Sequence, residues 1–205
     1  MSQVLIINGA YRPEGVIAQA LAQLGTTLVE AGVKVEWVEL NGYPIEFCHN
    51  CRQCMQHPGR SPGHCILSDG MSDLVAQMER ADAIVLASPT NFGSVTALFK
   101  RFMERLAVYG YWPWSAPGPQ LRKLGLVPKP AVLLDACAAP GWIGRWLYRS
   151  QPQLAYAAKV VGAKPVARAT LGGMAGQPQP TLTASAKKQV ARAAQRLLQT
   201  LEPAT

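Results

Sequence analysis

The sequence predicts a single α/β domain built around a parallel sheet of five strands. Short continuous apolar runs alternate along the chain with segments of helical periodicity, and strands buried on both faces of a parallel sheet typically have this pattern. The chain has 205 residues, of which 49% are hydrophobic, enough to bury a sizeable core in one domain. No internal repeat or second domain is indicated, so we expect residues 1–205 to fold as one unit with right-handed crossovers.

The first half of the chain predicts three strands and two helices. The strands cover residues 4–8, 33–40 and 83–88. Gly32 stands where the helix between the first two strands should be capped. The apolar residues that mark this helix are Ile17, Leu21, Leu24 and Leu28. A shorter helix before the third strand is marked by Leu74, Val75 and Met78.

The second half begins with the strongest amphipathic pattern in the chain, which predicts a helix. Its apolar residues are Val95, Leu98, Phe99, Phe102, Met103 and Leu106. Two more strands are predicted at residues 131–137 and 165–171, with a helical stretch between them that ends near Gly162. One face of a final helix carries Val190, Ala194, Leu197, Leu198 and Leu201.

Residues 109–130 interrupt this regular alternation with five prolines and two tryptophans. Loops of this length usually serve as lids, binding elements or subunit contacts. Alternatively, Trp112 and Trp114 simply cap the edge of the core. Exposed, these two rings would form an apolar patch that monomers rarely tolerate, so we expect residues 109–121 to be covered by a ligand or a partner.

The formal net charge of +8 raises the question of nucleic-acid binding. The basic residues are spread along the chain, and Lys188, Arg192 and Arg196 fall on one helical face, as on the solvated side of an ordinary amphipathic helix. We therefore expect no nucleic-acid partner, and anionic cofactors or acidic redox partners account for the charge equally well. No apolar run reaches the roughly 18 residues of a membrane span, and no signal peptide is indicated. We expect a cytoplasmic protein.

The loop after the first strand, residues 8–17, is a candidate phosphate site. In doubly wound sheets ligands bind beyond the carboxyl ends of the strands, and amides at the start of a helix attract anions. Arg12 adds a cation that could pair with phosphate. Gly9 and Gly15 lack the middle glycine of the dinucleotide fingerprint, so a mononucleotide fits better. Glu39 is then a surface residue, and a plain strand-to-helix turn is the alternative.

A second candidate loop, residues 88–94, follows the third strand directly. Phe92 offers a flat apolar face, and a polar rim is offered by Ser88, Thr90, Asn91 and Ser94. Together these groups suit a planar ring with a hydrogen-bonding edge, such as an isoalloxazine. Ser94 has an alternative role as the cap of the next helix.

Residues 48–65 hold four of the five cysteines and all three histidines. Cys48, Cys51 and Cys54 have the C-x2-C-x2-C spacing that lets three thiolates face one iron–sulfur cluster, with Cys65 returning as a fourth ligand. The ten-residue gap before Cys65 adds little to the free-energy cost of closing the loop, which rises by only about 0.6 kcal/mol for each doubling of loop length. Zinc, with one histidine in place of a thiolate, and metal-free thiols remain alternatives. Clustered thiols of this kind are typical of a reducing cytosol.

These motifs together resemble the NAD(P)H-dependent FMN reductases of the flavodoxin-like superfamily, and most closely their iron–sulfur flavoprotein branch. The first loop matches at Gly9, Arg12 and Gly15, and the second at Ser88, Pro89, Phe92, Gly93 and Ser94. The family's C-x-x-x-D-D-M segment is present as Cys65, Asp69, Gly70 and Met71. Two hydroxyl positions of the family are Ala10 and Ile17 here, and Asn91 stands where tyrosine is common.

The resemblance implies a flavodoxin-like three-layer sandwich with strand order 2-1-3-4-5. It implies FMN as a cofactor, NAD(P)H as the electron donor, and a homodimer or homotetramer in which a neighbouring subunit completes the flavin site. The implied FMN-binding residues are Gly9, Ala10, Tyr11, Arg12, Gly15, Val16, Ile17, Pro89, Thr90, Asn91, Phe92 and Gly93. A [4Fe-4S] cluster would be held by Cys48, Cys51, Cys54 and Cys65.

The predicted function is that of an FMN-dependent NAD(P)H oxidoreductase whose acceptor is a quinone, an azo compound, a flavin or a protein. Because the flavin ring carries the redox chemistry, we predict no catalytic acid or base. A non-enzymatic electron carrier or redox sensor is the alternative, and a zinc-knuckle nucleic-acid binder is a more distant one. Cys137 ends the fourth strand, where a third loop should approach the ring, and Cys137 itself is interpreted as a small buried residue. Residues 109–121 are expected at a subunit contact or over the flavin.

Overall fold

The central sheet of the molecule has five parallel strands, as seen in a computed structural model that describes residues 1–201. The strands are β1 (Gln3–Asn8), β2 (Lys34–Glu39), β3 (Ala83–Pro89), β6 (Lys129–Ala136) and β7 (Ala163–Leu171). Their order is β2-β1-β3-β6-β7, which confirms the predicted order 2-1-3-4-5. A separate antiparallel pair is formed by β4 (Gly110–Tyr111) and β5 (Gln120–Leu121).

Helices cover both faces of this sheet. They are α1 (Val16–Glu30), α2 (Met71–Arg80), α3 (Ala97–Arg105), α4 (Gly141–Leu147), α5 (Ser150–Val160) and α6 (Ala184–Leu201). Alternate residues of β1 face opposite sides, so Val4 and Ile6 pack with α1 and α6, whereas Leu5 and Ile7 pack with α2, α3 and α5. All four side chains are fully buried, and the predicted three-layer α/β architecture is confirmed.

Two element boundaries differ from the sequence prediction. Thr96, and not Ser94, caps α3, because the Phe99 amide donates to Thr96 Oγ1 at 3.1 Å. Ser94 instead donates its hydroxyl to Gln153 Oε1 at 2.7 Å. The single helical stretch expected before Gly162 is two helices, α4 and α5. Gly162 follows the second of them with φ of +79°, a conformation that favours glycine.

The topology brings the carboxyl ends of β1, β3 and β6 to one edge of the sheet. The chain leaves β2 at the same edge and runs through residues 40–70 before α2 begins. The loops that follow these strands therefore meet at one end of the domain, where ligands of doubly wound sheets bind. Within residues 1–201, none of the helices has the length and apolarity needed to cross a membrane.

Candidate flavin and thiol sites

A cavity of about 310 Å³ opens at the carboxyl ends of β1, β3 and β6. Its wall includes nine of the twelve predicted flavin-binding residues, namely Ala10, Tyr11, Arg12, Gly15, Val16, Ile17, Pro89, Thr90 and Asn91. Gly9, Phe92 and Gly93 lie outside this wall, and contact with a flavin stays a prediction for all twelve residues. Three loops predicted from separate segments of the sequence thus converge on one pocket, which we call the flavin pocket.

The start of α1 forms the anion-attracting end of the flavin pocket. Gly15 precedes the helix with extended backbone and no side-chain cap, and no acidic residue lies in the first turn. The amides of Val16 and Ile17 donate to no acceptor within residues 1–201. Orphan amides backed by the helix dipole are the groups that bind phosphate at such positions.

The two glycines of the first loop allow close packing of its backbone. A Cβ on Gly9 would lie 2.9 Å from the Phe99 ring and 3.1 Å from the Ala87 carbonyl, so Gly9 lets the loop pass against α3. Gly15 donates its amide to the Arg12 carbonyl at 3.1 Å and closes the turn. Asn8 fixes the entry to the loop, since its Oδ1 accepts from the Ala10 amide at 2.9 Å.

Residues 172–182, which we call the strap, form a wall of the flavin pocket that the sequence did not predict. Arg12 Nη2 donates to the Pro178 carbonyl at 2.7 Å. Gln19 holds the strap twice, donating to the Pro180 carbonyl at 3.0 Å and accepting from the Leu182 amide at 3.2 Å. The strap residues that line the pocket are Met174, Ala175 and Pro180. Arg12 therefore already has a protein partner, although the rest of its guanidinium remains exposed.

The second loop forms a tight turn beside the pocket. Asn91 and Ser94 exchange backbone hydrogen bonds of 2.8 and 3.0 Å across Phe92 and Gly93. Both central residues have positive φ, +53° and +76°, the pattern of a type I′ turn, which is unfavourable for phenylalanine. The Phe92 ring is fully exposed at the tip of this turn.

The end of β6 supplies the third wall, through Ala136, Cys137 and Ala138. Cys137 is 4% exposed, and its thiol donates to the Ala139 carbonyl at 3.3 Å. A Cβ on Gly144 would lie 2.4 Å from Cys137 Sγ, so α4 packs directly on this sulfur. Burial raises the pKa of Cys137. The residue is therefore small and buried, as the sequence suggested, and it also borders the flavin pocket.

All four cysteines of the cysteine loop, residues 48–65, line a second and much smaller cavity, of about 30 Å³. None of the four forms a disulfide, and each is partly exposed. Asn50 and Arg52 adopt left-handed backbone conformations that turn the chain sharply between the first three thiols. Burial, and then the neighbouring thiols, raise the pKa of Cys54 to about 11. We call this cavity the thiol cavity.

The ten-residue gap before Cys65 is folded back compactly. A Cβ on Gly63 would lie 1.8 Å from the Cys54 carbonyl oxygen, so the chain touches Cys54 again just before it reaches Cys65. The Gly63 amide donates to the Val108 carbonyl at 2.7 Å. His49 joins the wall of the thiol cavity, whereas His57 and His64 do not. In the described part of the chain, no three His, Cys, Asp or Glu side chains are grouped so as to hold a single metal ion.

Arg122, only 6% exposed, is the hub of the folded-back loop. Its guanidinium donates to five backbone carbonyls, those of Cys54, His57, Gly59, Val108 and Gly110, at 2.9 to 3.2 Å. A guanidinium suits this task because its five donors are spread in a rigid plane. The gap between the third and fourth cysteines is thus fixed by one buried cation.

Arg105, the last residue of α3, reaches the thiol cavity from the other side. Its side chain is 1% exposed and pairs with Asp69 at 2.5 and 3.0 Å. The same guanidinium lies 3.5 Å from Cys65 Sγ. Burial alone would raise the pKa of Asp69, but hydrogen bonds from Arg105 and from the Glu46 and Met71 amides outweigh it and lower that pKa to about 2.

The tryptophan segment packs on the cysteine loop and contributes nothing to the wall of the flavin pocket. The Trp112 amide donates to the Met55 carbonyl at 2.8 Å. The Arg52 guanidinium lies 3.7 Å from the ring centre of Trp112 and 4.5 Å from that of Trp114, within range of a cation–π interaction. Trp114 is 64% exposed, so a subunit contact through this segment stays a prediction.

Comparison with known proteins identifies the family. A model of the NADPH-dependent FMN reductase family matches residues 2–162. The chain belongs to that family. An iron–sulfur flavoprotein of Archaeoglobus fulgidus is 33% identical to this reductase-family chain over 107 residues, 52% of the chain and 46% of the relative. The chain spans about half the length of the iron–sulfur flavoproteins that it matches.

Solved structures agree with the fold of this FMN reductase family member. The NAD(P)H:quinone oxidoreductase from Methanothermobacter marburgensis has a TM-score of 0.69 and 19% identity, with 100% of this chain and 99% of that chain covered. A flavodoxin from the domain Archaea has a TM-score of 0.56 and 9% identity, with 97% and 98% covered. These likenesses confirm the flavodoxin-like fold that the sequence predicted.

Proposed function

We propose that the chain is an FMN-dependent NAD(P)H oxidoreductase that passes electrons, through a [4Fe-4S] cluster in the thiol cavity, to a quinone, an azo compound, a flavin or a protein acceptor. The observation that carries the proposal is that this chain has both a pocket of about 310 Å³ at the carboxyl edge of its sheet and four unpaired thiols around a second cavity. Family membership alone supports the FMN reductase class.

The residues of the flavin pocket fit FMN. The free amides of Val16 and Ile17 would bind the phosphate, with Arg12 at the mouth. Thr90 and Asn91 would offer polar groups to the rim of the ring, and the other lining residues are mostly apolar. When bound here, FMN supplies the hydride and single-electron chemistry. Among the described residues, 1–201, those that line the pocket include no carboxylate or histidine, so the absence of a catalytic acid or base stays a prediction.

The thiol cavity also fits a cluster in its ligands, although its volume is small. Four unpaired thiols face it, and two of their sulfurs already accept hydrogen bonds, from the Asn50 amide to Cys48 at 3.4 Å and from Arg105 to Cys65. Donors to sulfur are common around such clusters. A cavity of about 30 Å³ holds about one water. Cys48, Cys51, Cys54 and Cys65 are the residues that would hold the cluster, which would supply single-electron transfer.

The flavin pocket and the thiol cavity share no wall residue. We therefore propose a homodimer or homotetramer in which a neighbouring subunit brings its thiol cavity to this chain's flavin pocket. The exposed rings of Phe92 and Trp114 are available for such a contact. Electrons would then pass between subunits on their way to the acceptor.

The test is anaerobic purification with FMN, followed by absorption spectroscopy and metal analysis. We expect about four iron and four sulfide per chain, as in the cube. Cys51→Ser should lose the iron and keep yellow flavin. The matched control Cys137→Ser should keep both, because Cys137 lies outside the thiol cavity and serine has nearly the same size and keeps a donor for the Ala139 carbonyl. A colourless protein that takes up no FMN contradicts the flavin assignment, and a yellow iron-free protein contradicts the cluster.

Steady-state oxidation of NADH and NADPH separates an enzyme from an electron carrier or redox sensor. An oxidoreductase turns over many equivalents of pyridine nucleotide in the presence of a small quinone or azo acceptor. A carrier oxidises only as much pyridine nucleotide as is needed to reduce its own bound cofactors once, which is the single load of electrons. Turnover limited to a single load, in protein that is full of FMN, would reject the enzymatic proposal and leave the carrier.

A further inference from the structure

Arg105 is the only side chain that donates to a sulfur of the thiol cavity within residues 1–201. Its Nη2 lies 3.5 Å from Cys65 Sγ, and Cys48 receives only a backbone amide. Cys48, Cys51 and Cys54 are positioned by local turns with left-handed residues between them. Cys65 has no such local constraint, and it is the cysteine that receives a tertiary contact from α3.

The orientation of Arg105 is over-determined by its neighbours. The Asp69 carboxylate accepts hydrogen bonds from both Nη1 and Nη2 of Arg105, and the Glu46 carbonyl accepts from Nη1 at 2.9 Å. Asp69 is in turn held by the Glu46 amide at 2.8 Å and the Met71 amide at 3.0 Å. Because a guanidinium is planar and rigid, these contacts also fix the direction of the Nη2 group toward Cys65.

We propose that Arg105 is a positioning residue for Cys65, the fourth ligand, and that its hydrogen bond to the sulfur raises the reduction potential of the site. This rests on the proposed function, in which the thiol cavity holds a cluster. If Arg105 served only to stabilise the fold, its hydrogen bonds to Asp69 and to the Glu46 carbonyl would suffice, and the third contact, to sulfur, would not be needed. Donors to cluster sulfurs stabilise the more negative, reduced state, and so raise the potential.

Two variants separate positioning from folding. Arg105→Lys keeps the charge and a bond to Asp69, but one ammonium cannot reproduce the fixed fork that also reaches Cys65. Removing Arg105 alone would leave Asp69 buried and unpaired, so the second variant is the double replacement Arg105→Met with Asp69→Asn. Arg101→Lys is the matched control, because Arg101 lies one turn earlier on α3 and donates to the Leu40 and Tyr43 carbonyls, not to a thiol.

The readouts on reconstituted holoprotein are iron and sulfide per chain, bound FMN, and the reduction potential from a spectroelectrochemical titration. In both Arg105 variants we expect iron per chain to fall at least twofold, FMN to remain at the wild-type level, and the remaining sites to be reduced at more negative potential. Arg101→Lys should match the wild type in all three. Wild-type iron and potential in both folded Arg105 variants would overturn the proposal.

The positioning role has a second readout that does not need a cluster. In metal-free wild type and double variant, alkylation by iodoacetamide is followed at each cysteine by peptide mass spectrometry. Loss of the guanidinium should change the rate of modification of Cys65 several-fold relative to Cys51, because the contact from Arg105 Nη2 fixes the position of this sulfur. If the wild type takes up no iron, the cluster proposal fails by itself. An unchanged ratio of Cys65 to Cys51 modification then overturns the role of Arg105 separately.

Discussion

Replacing Arg122 with methionine should loosen the cysteine loop without unfolding the domain. Three of its five acceptors, the carbonyls of Cys54, His57 and Gly59, belong to that loop and have no other hydrogen-bond donor within residues 1–201. The Val108 carbonyl keeps a second donor, the Gly63 amide. The perturbation therefore falls on the stretch between the third and fourth cysteines.

The magnitude follows from the number and type of the lost bonds. Hydrogen bonds from a charged donor contribute about 1.5 to 3 kcal/mol each, so three of them set a lower figure of about 4.5 kcal/mol. The variant also removes a buried cation that has no carboxylate partner among the described residues, and burial lowers the pKa of Arg122. Relief of that desolvation returns part of the loss. We expect a net destabilisation of about 3 kcal/mol, within a typical total of about 5 to 15 kcal/mol.

Equilibrium urea unfolding measures this loss, and limited proteolysis of the native protein locates it. We expect a lower urea midpoint together with new cleavage within residues 56–64. Arg122→Lys keeps the charge but spans fewer carbonyls, so it should lie about midway. The control is Arg168→Met, an exposed arginine of β7, for which a change within about 0.5 kcal/mol is expected. An Arg122→Met protein as stable and as protease-resistant as the control would refute the role of Arg122 as hub.

Three other predictions concern acid stability, flavin affinity and assembly. The Asp69 carboxylate contributes about 2 kcal/mol of stability above pH 4 and loses it as the pH falls toward 2, because its folded pKa of about 2 lies below the unfolded value. Asp69→Asn should abolish this pH-dependent contribution. Urea titrations at several pH values measure it, and an unaltered acid dependence would contradict the prediction. Arg12→Met should weaken FMN binding about tenfold, the effect of one charge-assisted bond to the phosphate. Riboflavin has no phosphate, so its binding should weaken much less in the same fluorescence titration. Equal losses for the two ligands would mean that Arg12 only holds the strap. Trp114→Ser should shift the chain toward smaller species in sedimentation, and an unshifted profile would locate the subunit contact elsewhere.

The sheet could be predicted from the sequence because its strands are buried on both faces. The run from Val4 to Ile7, for example, is wholly apolar, and parallel strands that alternate with helices leave few possible topologies. The first two pocket loops were found by the rule that ligands bind beyond the carboxyl ends of such strands. A third loop, after the fourth strand at Cys137, was expected near the ring on the same grounds, although none of its residues was predicted to bind the flavin.

The features that the sequence did not reveal depend on long-range contacts or on segments without a period. Met174 and Pro180 follow the last strand, and only the return of the strap over α1 brings them to the pocket. The helix α4 is short and rich in glycine and tryptophan, and the strands β4 and β5 have two residues each. Nothing in the sequence next to Arg105 and Arg122 indicates the carbonyls, carboxylate and sulfur that surround them in the fold.

The strap determines how long a bound flavin stays. Three hydrogen bonds made by Arg12 and Gln19 hold the strap, which forms one side of the pocket, and we expect these bonds to hinder the exit of a flavin on that side. We therefore expect a slow dissociation rate even where equilibrium affinity is moderate. If the proposed activity holds, we expect FMN to stay bound as a prosthetic group through many catalytic cycles. It is poorly suited to releasing reduced flavin as a diffusible product for a second enzyme.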